Sequence, residues 1–289
     1  MTFSIVATNA DRTQFGVAVA SKFLAVGSAV PAARVGAGAL ATQAWANTAY
    51  KADGLALLTN GANAQETVDT LTGNDDKRES RQLGVVDASG RAATYTGGEC
   101  TDWAGGIAGD GYAIQGNILA GSRVLALMEE AWLGSDPKEP LAHRLMAALA
   151  AGDNVGGDKR GRQSAALYVA GEEGGYGGGD DIVVDLRVDD HEAPIPELMR
   201  LLAIHQMLFG KPDPKDLLEL AGSLAEEVRS LLGAQGYIAG DVSTSELDRV
   251  LASWAGVENL EERIVPGRLD PVVLDHLRRL NDAATKPGE

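Results

Sequence analysis

The sequence predicts an α+β fold: antiparallel sheets covered by helices, followed by a small helical tail. Three observations predict it. Short apolar runs are joined by polar links too short to hold a crossover helix, so their strands pair antiparallel. Stretches with helical spacing come in pairs between those hairpins. Most of the 36 glycines fall within residues 1–211, whereas residues 212–289 read as helices. Lys211-Pro212-Asp213-Pro214 marks the joint, because two prolines in a polar stretch resist a continuing helix. Two domains are expected, 1–211 and 212–289.

Strands are expected near 3–8 and 15–21, around the polar turn Asn9–Gln14, and near 38–44. Helices follow near 51–60 and 64–72. Strands near 82–87 and 91–96 are joined by Asp87-Ala88-Ser89-Gly90, a turn that ends on glycine. Another strand covers 112–115. Helices are expected near 120–133 and 139–151, the second with Leu141, Leu145 and Leu149 on one face. Strands near 164–170 and 181–188, with a glycine-rich turn between them, precede a helix near 195–209. Runs such as Gly16-Val17-Ala18-Val19-Ala20 are apolar on both faces. Two sheets packed face to face, with helices on their outer sides, would bury such strands completely. Three further helices are expected near 214–233, 243–255 and 270–282. Leu217, Leu220, Leu224, Val228 and Leu231 mark the buried face of the first. Ser243 or Thr244 caps the second ahead of Glu246, and Asp270-Pro271 opens the third.

Composition removes several classes of function. With 289 residues and 45% hydrophobic side chains, the chain can bury a sizeable core. A net charge of −16 argues against binding a nucleic-acid backbone, which needs a basic stripe. No stretch reaches the ~18 apolar residues of a membrane span. Cys100 is the single cysteine, so no internal disulfide forms. No signal-peptide pattern opens the sequence, and a cytoplasmic location is expected. The four histidines lack metal-ligand spacing, so neither a metal nor another cofactor is expected. Gly174–Asp181 lacks the Lys-Ser/Thr ending of a phosphate loop and reads as a hairpin turn.

Several residue groups suit chemistry. Thr2 lies directly behind Met1 at the start of a strand. Removal of Met1 would give it a hydroxyl nucleophile and a free α-amine, whose ordinary pKa of about 8 suits a general base. Lys22 ends the hairpin's second strand and would hold that amine neutral or stabilise a developing anion. Gln115 and Asn117, with Gly116 between them, follow another strand. Asn117 reads equally well as an oxyanion donor or as a helix cap. Gln43, Trp45 and Asn47 share a face if the strand period continues, and would line a polar pocket wall or an inter-strand network. Arg160 and Arg162 lie in the one dense basic run, where they suit a carboxylate or phosphate clamp. Cys100 has no base near it in sequence and reads as a structural thiol.

Five stretches together resemble a known family. They are Met1–Ala7, Gly16–Phe23, Arg81–Asp87, Gly109–Asn117 and Asp158–Ala165. The family is domain of unknown function 1028, grouped with the N-terminal-nucleophile (Ntn) hydrolases, and the resemblance covers roughly residues 1–211. It implies a four-layer αββα sandwich and places Thr2 at the nucleophile position. Proteasome-like members carry a lysine where Arg34 stands here, and an aspartate where Ala18 stands. Residues 214–289 resemble a companion domain named for peptidoglycan binding, carried by Gly233–Tyr237, Trp254–Arg263 and Leu269–Val273. The expected activity is hydrolysis of a small amide or peptide-like substrate, with Thr2, Lys22 and Asn117 catalytic and Gln43, Asn47, Gln115, Arg160 and Arg162 binding. The alternative is a non-catalytic protein that binds a small molecule or peptidoglycan fragment on the same fold. A homodimer is expected, with neither nucleic acid nor membrane as partner.

Overall fold

The computed structural model describes residues 2–172 and 174–285. The chain divides into two compact units, Met1–Leu202 and Ala203–Glu289. The division falls inside a helix, upstream of Lys211–Pro214.

In the first unit the elements run β1 (Thr2–Thr8), β2 (Gln14–Ser21), α1 (Val26–Ala29), β3 (Pro31–Arg34), β4 (Gly38–Ala44), α2 (Ala49–Thr59) and α3 (Ala64–Gly73). Next come β5 (Arg81–Asp87), β6 (Ala92–Thr96), β7 (Gly105–Gly109), β8 (Tyr112–Asn117), α4 (Arg123–Gly134) and α5 (Leu141–Asn154). Then β9 (Ser164–Gly171) and β10 (Ile182–Val188) lead into α6 (Pro194–Phe209). Among the described residues these strands form a six-stranded sheet, β10-β9-β2-β1-β8-β7, and a four-stranded sheet, β3-β4-β5-β6. Every pairing within them is antiparallel.

Strand alternation builds the layers. Phe3, Ile5 and Ala7 face outward from the larger sheet onto α4, α5 and α6, where Met128, Leu145, Leu149 and Leu198 bury them. Val6, on the other face of β1, packs with Phe15, Val17 and Val19 against Ala39, Ala41 and Val86 of the second sheet. Leu40, Leu83 and Val85 face outward from that sheet onto Tyr50, Leu58, Val68 and Leu71 of α2 and α3. The result is helices, sheet, sheet, helices: the αββα sandwich. α3 begins with a reciprocal cap between Asn63 and Glu66, which fixes where it leaves the preceding loop.

The second unit contains β11 (Leu218–Glu219), α7 (Gly222–Ala234), α8 (Thr244–Val257), β12 (Arg268–Leu269) and α9 (Pro271–Thr285). Leu232, Leu251, Trp254, Val273 and Leu277 form its core, and Met207 and Leu208 of α6 pack against it. Arg263 is buried and ties the unit together. Its Nη1 donates to Asp270 Oδ2 at 2.6 Å, and its Nε and Nη2 donate to the carbonyls of Met207 and Gln206 at 2.6 and 2.5 Å. Those carbonyls belong to the last turns of α6, where a cation is favoured. Ser243 caps α8 in a box with Glu246, as its spacing predicts.

The structure departs from the sequence reading in places. The helix expected from 214 begins only at Gly222, because Leu218–Glu219 pairs with Arg268–Leu269. β7, Gly-Gly-Ile-Ala-Gly, has almost no intrinsic strand preference and forms through its ladder with β8. Among the described residues, no helix is long and apolar enough to cross a membrane.

Candidate functional site

The layer between the two sheets is apolar along most of its length and polar at one end. Register explains why. Thr2 lies opposite Asn117 on β8, and Phe3 opposite Ala20 on β2, which brings Ser21 beside Thr2. Residues directly opposite in antiparallel strands share a face. Thr2, Ser4, Ser21, Gln115 and Asn117 therefore point between the sheets, on the same face as Val6 and Val19. From the other sheet, Gln43 and Gln82 continue the inward positions of Ala41 and Gly84. All seven polar side chains are buried, none more than 6% exposed.

Burial forces these groups to satisfy one another. Thr2 Oγ1 and Ser21 Oγ share a hydrogen bond at 3.1 Å. Ser4 Oγ donates to Gln43 Oε1 at 2.7 Å and accepts from Gln115 Nε2 at 2.6 Å. Gln43 Nε2 donates to the carbonyl of Thr2 at 3.2 Å and to Gln82 Oε1 at 2.7 Å. Asn117 Nδ2 donates to the same Gln82 oxygen at 2.8 Å. Gln82 Nε2 in turn reaches Thr96 Oγ1 and the carbonyls of Gly105 and Gly116 at 2.8–3.1 Å. Gln82 is thus the hub that orients both amides beside Thr2. Among the described residues Gln115 Oε1 has no hydrogen-bond partner. It lies against Gly84, where a Cβ would come within 1.9 Å of it, so glycine is what leaves room for this amide.

The backbone around this end is strained. Ile118, directly after Asn117, has φ +48°; Ala44, directly after Gln43, has φ +65°; Ala25, close behind Ser21, has φ +52°. Left-handed geometry is costly for a β-branched residue and is retained where surrounding contacts impose it. The Ile118 N–H donates to the carbonyl of Thr101 at 2.8 Å, and its carbonyl accepts from the Lys159 N–H at 3.3 Å.

The residues singled out from sequence divide into two groups. Thr2, Asn117, Gln43 and Gln115 come together at the polar end. Asn117 lies within β8 and caps no helix, since α4 starts at Arg123 behind Ser122. Lys22, Asn47, Arg160 and Arg162 do not join them. The exposed Lys22 ammonium donates to the carbonyl of Arg162 at 3.2 Å. Arg160 Nη2 pairs with Asp158 at 3.4 Å, and Arg162 Nε pairs with Asp153 at 2.8 Å. That carboxylate raises the pKa of Arg162 further. The expected clamp is therefore occupied from within. β4 ends at Ala44, so the alternation that would carry Trp45 and Asn47 onto the face of Gln43 stops there. Trp45 is 78% exposed. Asn47 Nδ2 instead donates to Asp75 Oδ2 at 3.2 Å.

Two supporting groups escaped the sequence reading. Asp158, buried at the same end, accepts from the backbone N–H groups of Lys22 at 2.7 Å and Arg160 at 2.8 Å, and bridges to Leu119. The Asp158 carboxylate thus joins the end of β2 to the loop before β9, and the backbone around it joins that loop to the chain after β8. Asp75 Oδ2 accepts from Arg81 Nε at 2.9 Å and from the Tyr50 hydroxyl at 2.8 Å. The Arg81 hydrogen bond holds the Asp75 carboxyl well below the usual carboxylate range. Arg81 Nη1 also donates to the carbonyl of Trp45 at 2.5 Å, which fixes that loop. Cys100 is half buried, with Sγ donating to the carbonyl of Arg81 at 3.3 Å, and burial pushes its pKa up. It is a structural thiol. Among the described residues no group of three or more His, Cys, Asp or Glu side chains is arranged to hold a metal. In the second unit a cavity of about 490 Å³ is lined by Lys211, Asp213, Asp216, Arg263, Asp270, Pro271 and Val272.

These features define an α+β protein in two units, an αββα sandwich followed by a helical unit. The chain belongs to the family of unknown function DUF1028, whose model matches residues 2–198. Residues 208–277 match a family described as "Putative peptidoglycan binding domain". The chain is similar to protein SPO2555 from Silicibacter pomeroyi, a DUF1028 crystal structure, at 30% identity and a TM-score of 0.64. That match covers 78% of this chain and 92% of the other. No protein of curated function matches the chain.

Proposed function

We propose that the chain is an Ntn amidohydrolase with Thr2 as its nucleophile. The observation that carries this reading is the position of Thr2 Oγ1. It lies at the polar end of the inter-sheet layer, 3.1 Å from Ser21 Oγ and directly across the ladder from Asn117. Removal of Met1 frees the α-amine of Thr2. That amine takes the hydroxyl proton, through a water where geometry requires, as Oγ1 attacks an amide carbonyl. Gln82 Oε1 engages one hydrogen of Asn117 Nδ2. The second hydrogen, with a backbone N–H, stabilises the oxyanion. Collapse expels the amine, which carries away the proton, and water hydrolyses the threonyl ester.

In this reading Ser21, not Lys22, is the side chain that touches the nucleophile. Gln43 fixes the carbonyl of Thr2, and Gln115 positions Ser4 beneath it. Lys22, Arg160 and Arg162 organise the loop around Asp158. The match of the second unit to a family named for peptidoglycan binding agrees with a small peptide-like amide as substrate. The test is turnover of an amide panel by wild type, Thr2→Ser and Thr2→Ala. The serine variant should retain measurable hydrolysis and the alanine variant none, with unchanged circular dichroism. Full turnover by Thr2→Ala would remove Thr2 from the mechanism.

A further inference from the structure

The loops around Thr2 carry large apolar side chains in water on anchored backbones. Phe23 and Leu24 follow Ser21 within three residues and are 54% and 60% exposed; Trp45 follows Gln43 by two and is 78% exposed. Isolated exposed apolar residues occur elsewhere in the chain, for example Leu133 and Val257, and need no explanation. These three differ because Ser21 and Gln43 both touch Thr2, which brings their neighbours to the same end of the sandwich. Their main chains are also held. The carbonyl of Phe23 accepts from Ser164 Oγ at 2.5 Å, and the N–H groups of Lys22 and Ala25 donate to Asp158 and to the carbonyl of Asp189. The N–H of Trp45 donates to the carbonyl of Ser80, and its own carbonyl accepts from Arg81. The backbones are fixed and the side chains are left for something else.

The guanidinium groups at this end are already committed to carboxylates. Arg160 and Arg162 are each paired with an aspartate, and Arg81 is paired with Asp75. Lys22 is turned to a carbonyl. Lys22 and Lys159, both exposed on these loops, are cations that would favour an anion. The protein as a whole carries −16 and repels anions at long range.

We infer that the substrate is an uncharged amide whose acyl side chain is apolar, and that Phe23, Leu24 and Trp45 select it. This deepens the reading of Thr2 as nucleophile and rests on it. Aromatic side chains suit the task because they cover a large apolar area with little rotamer freedom to lose.

The experiment compares two β-lactones of matched size, one with a benzyl and one with a carboxymethyl substituent. The protein is the full chain freed of Met1. Thr2 Oγ1 forms an ester with the lactone carbonyl, the ring C–O bond breaks, and the ring oxygen takes up the hydroxyl proton. The adduct mass therefore equals the probe mass. The benzyl probe should label Thr2 about tenfold faster, with the difference residing in KI and not in kinact. Trp45→Ala combined with Phe23→Ser should bring the two rates together, and Trp45→Phe should keep the preference. Equal or faster labelling by the carboxymethyl probe, lost on Lys159→Ala, would overturn the apolar assignment and leave the nucleophile standing. Absence of any Thr2 adduct with either probe would overturn both. A smaller mass in solution for Trp45→Ala/Phe23→Ser than for wild type would reassign the apolar residues to a subunit contact.

Discussion

Replacing Gln82 by leucine removes the hub of the buried network while keeping the volume of the side chain. The magnitude follows from its partners. Asn117 Nδ2 loses the one acceptor it has at 2.8 Å, and a buried orphaned donor costs about 1–3 kcal/mol. Gln43 Nε2 also loses its 2.7 Å acceptor but keeps the carbonyl of Thr2 at 3.2 Å, so its loss falls at the lower end, about 1 kcal/mol. The sum is about 2–4 kcal/mol, which for a unit of this size lowers Tm by about 4–16 °C. Thermal unfolding followed by tryptophan fluorescence reads this, because Trp45, Trp103 and Trp132 lie in the first unit. Gln65→Leu, at an exposed glutamine, serves as control and should move Tm by less than about 2 °C. A Gln82→Leu shift no larger than the control would mean that Gln82 does not hold the two amides, and the orientation argued for Asn117 would fall with it. Under the proposed mechanism the same variant also loses turnover, by about 10²-fold, the cost of one misplaced oxyanion donor.

Other consequences follow from single contacts. Gly84→Ala drives a Cβ into Gln115 and should destabilise by about 1–3 kcal/mol. Adding Gln115→Ala should recover part of that loss, and strictly additive denaturation energies would refute the contact. Asp75 is held below its ordinary pKa by Arg81, so its contribution is fully present above about pH 4 and drains away as pH falls further. Tm of wild type and Asp75→Asn, measured from pH 7 to 3, should converge towards the acid end, and a constant gap would contradict the ion pair. Asp270→Ala leaves Arg263 buried without its carboxylate and should cost about 3–5 kcal/mol. Hydrogen exchange should then speed up in α7, α8 and α9 while the strands of the sandwich keep their protection. Uniform protection throughout would show that the pair is dispensable.

Much of the fold was legible in the sequence. Short apolar runs marked β1, β2, β4, β5 and β8, and the Asp87–Gly90 turn marked the β5–β6 hairpin. β7 was not legible, because its three glycines carry no pattern and its ladder with β8 is a tertiary fact. The start of α7 was hidden for a related reason: a two-residue strand pairing from fifty residues away overrode a helical stripe. At the site, Thr2 and Asn117 were visible from their places at strand ends. Ser21 and Gln82 were missed, although the signal existed. Each is a polar residue on the inward period of an otherwise apolar strand, and five strands carry such a residue at matching ends. Lys22, Arg160 and Arg162 misled in the opposite way. Their charges are conspicuous in an acidic chain, but Arg160 and Arg162 pair with Asp158 and Asp153 nearby in sequence, and Lys22 with a backbone carbonyl far from it. Trp45 and Asn47 left the face of Gln43 because Ala44 takes a left-handed conformation that no residue type announces.

The most direct test of Thr2 as nucleophile is the intact mass of the untagged protein before and after treatment with an electrophile that traps amino-terminal threonine. A Thr2 nucleophile predicts loss of Met1 and one adduct per chain, mapped to Thr2 and absent from Thr2→Ala. A protein that retains Met1, or that loses it and carries its adduct elsewhere, would contradict it.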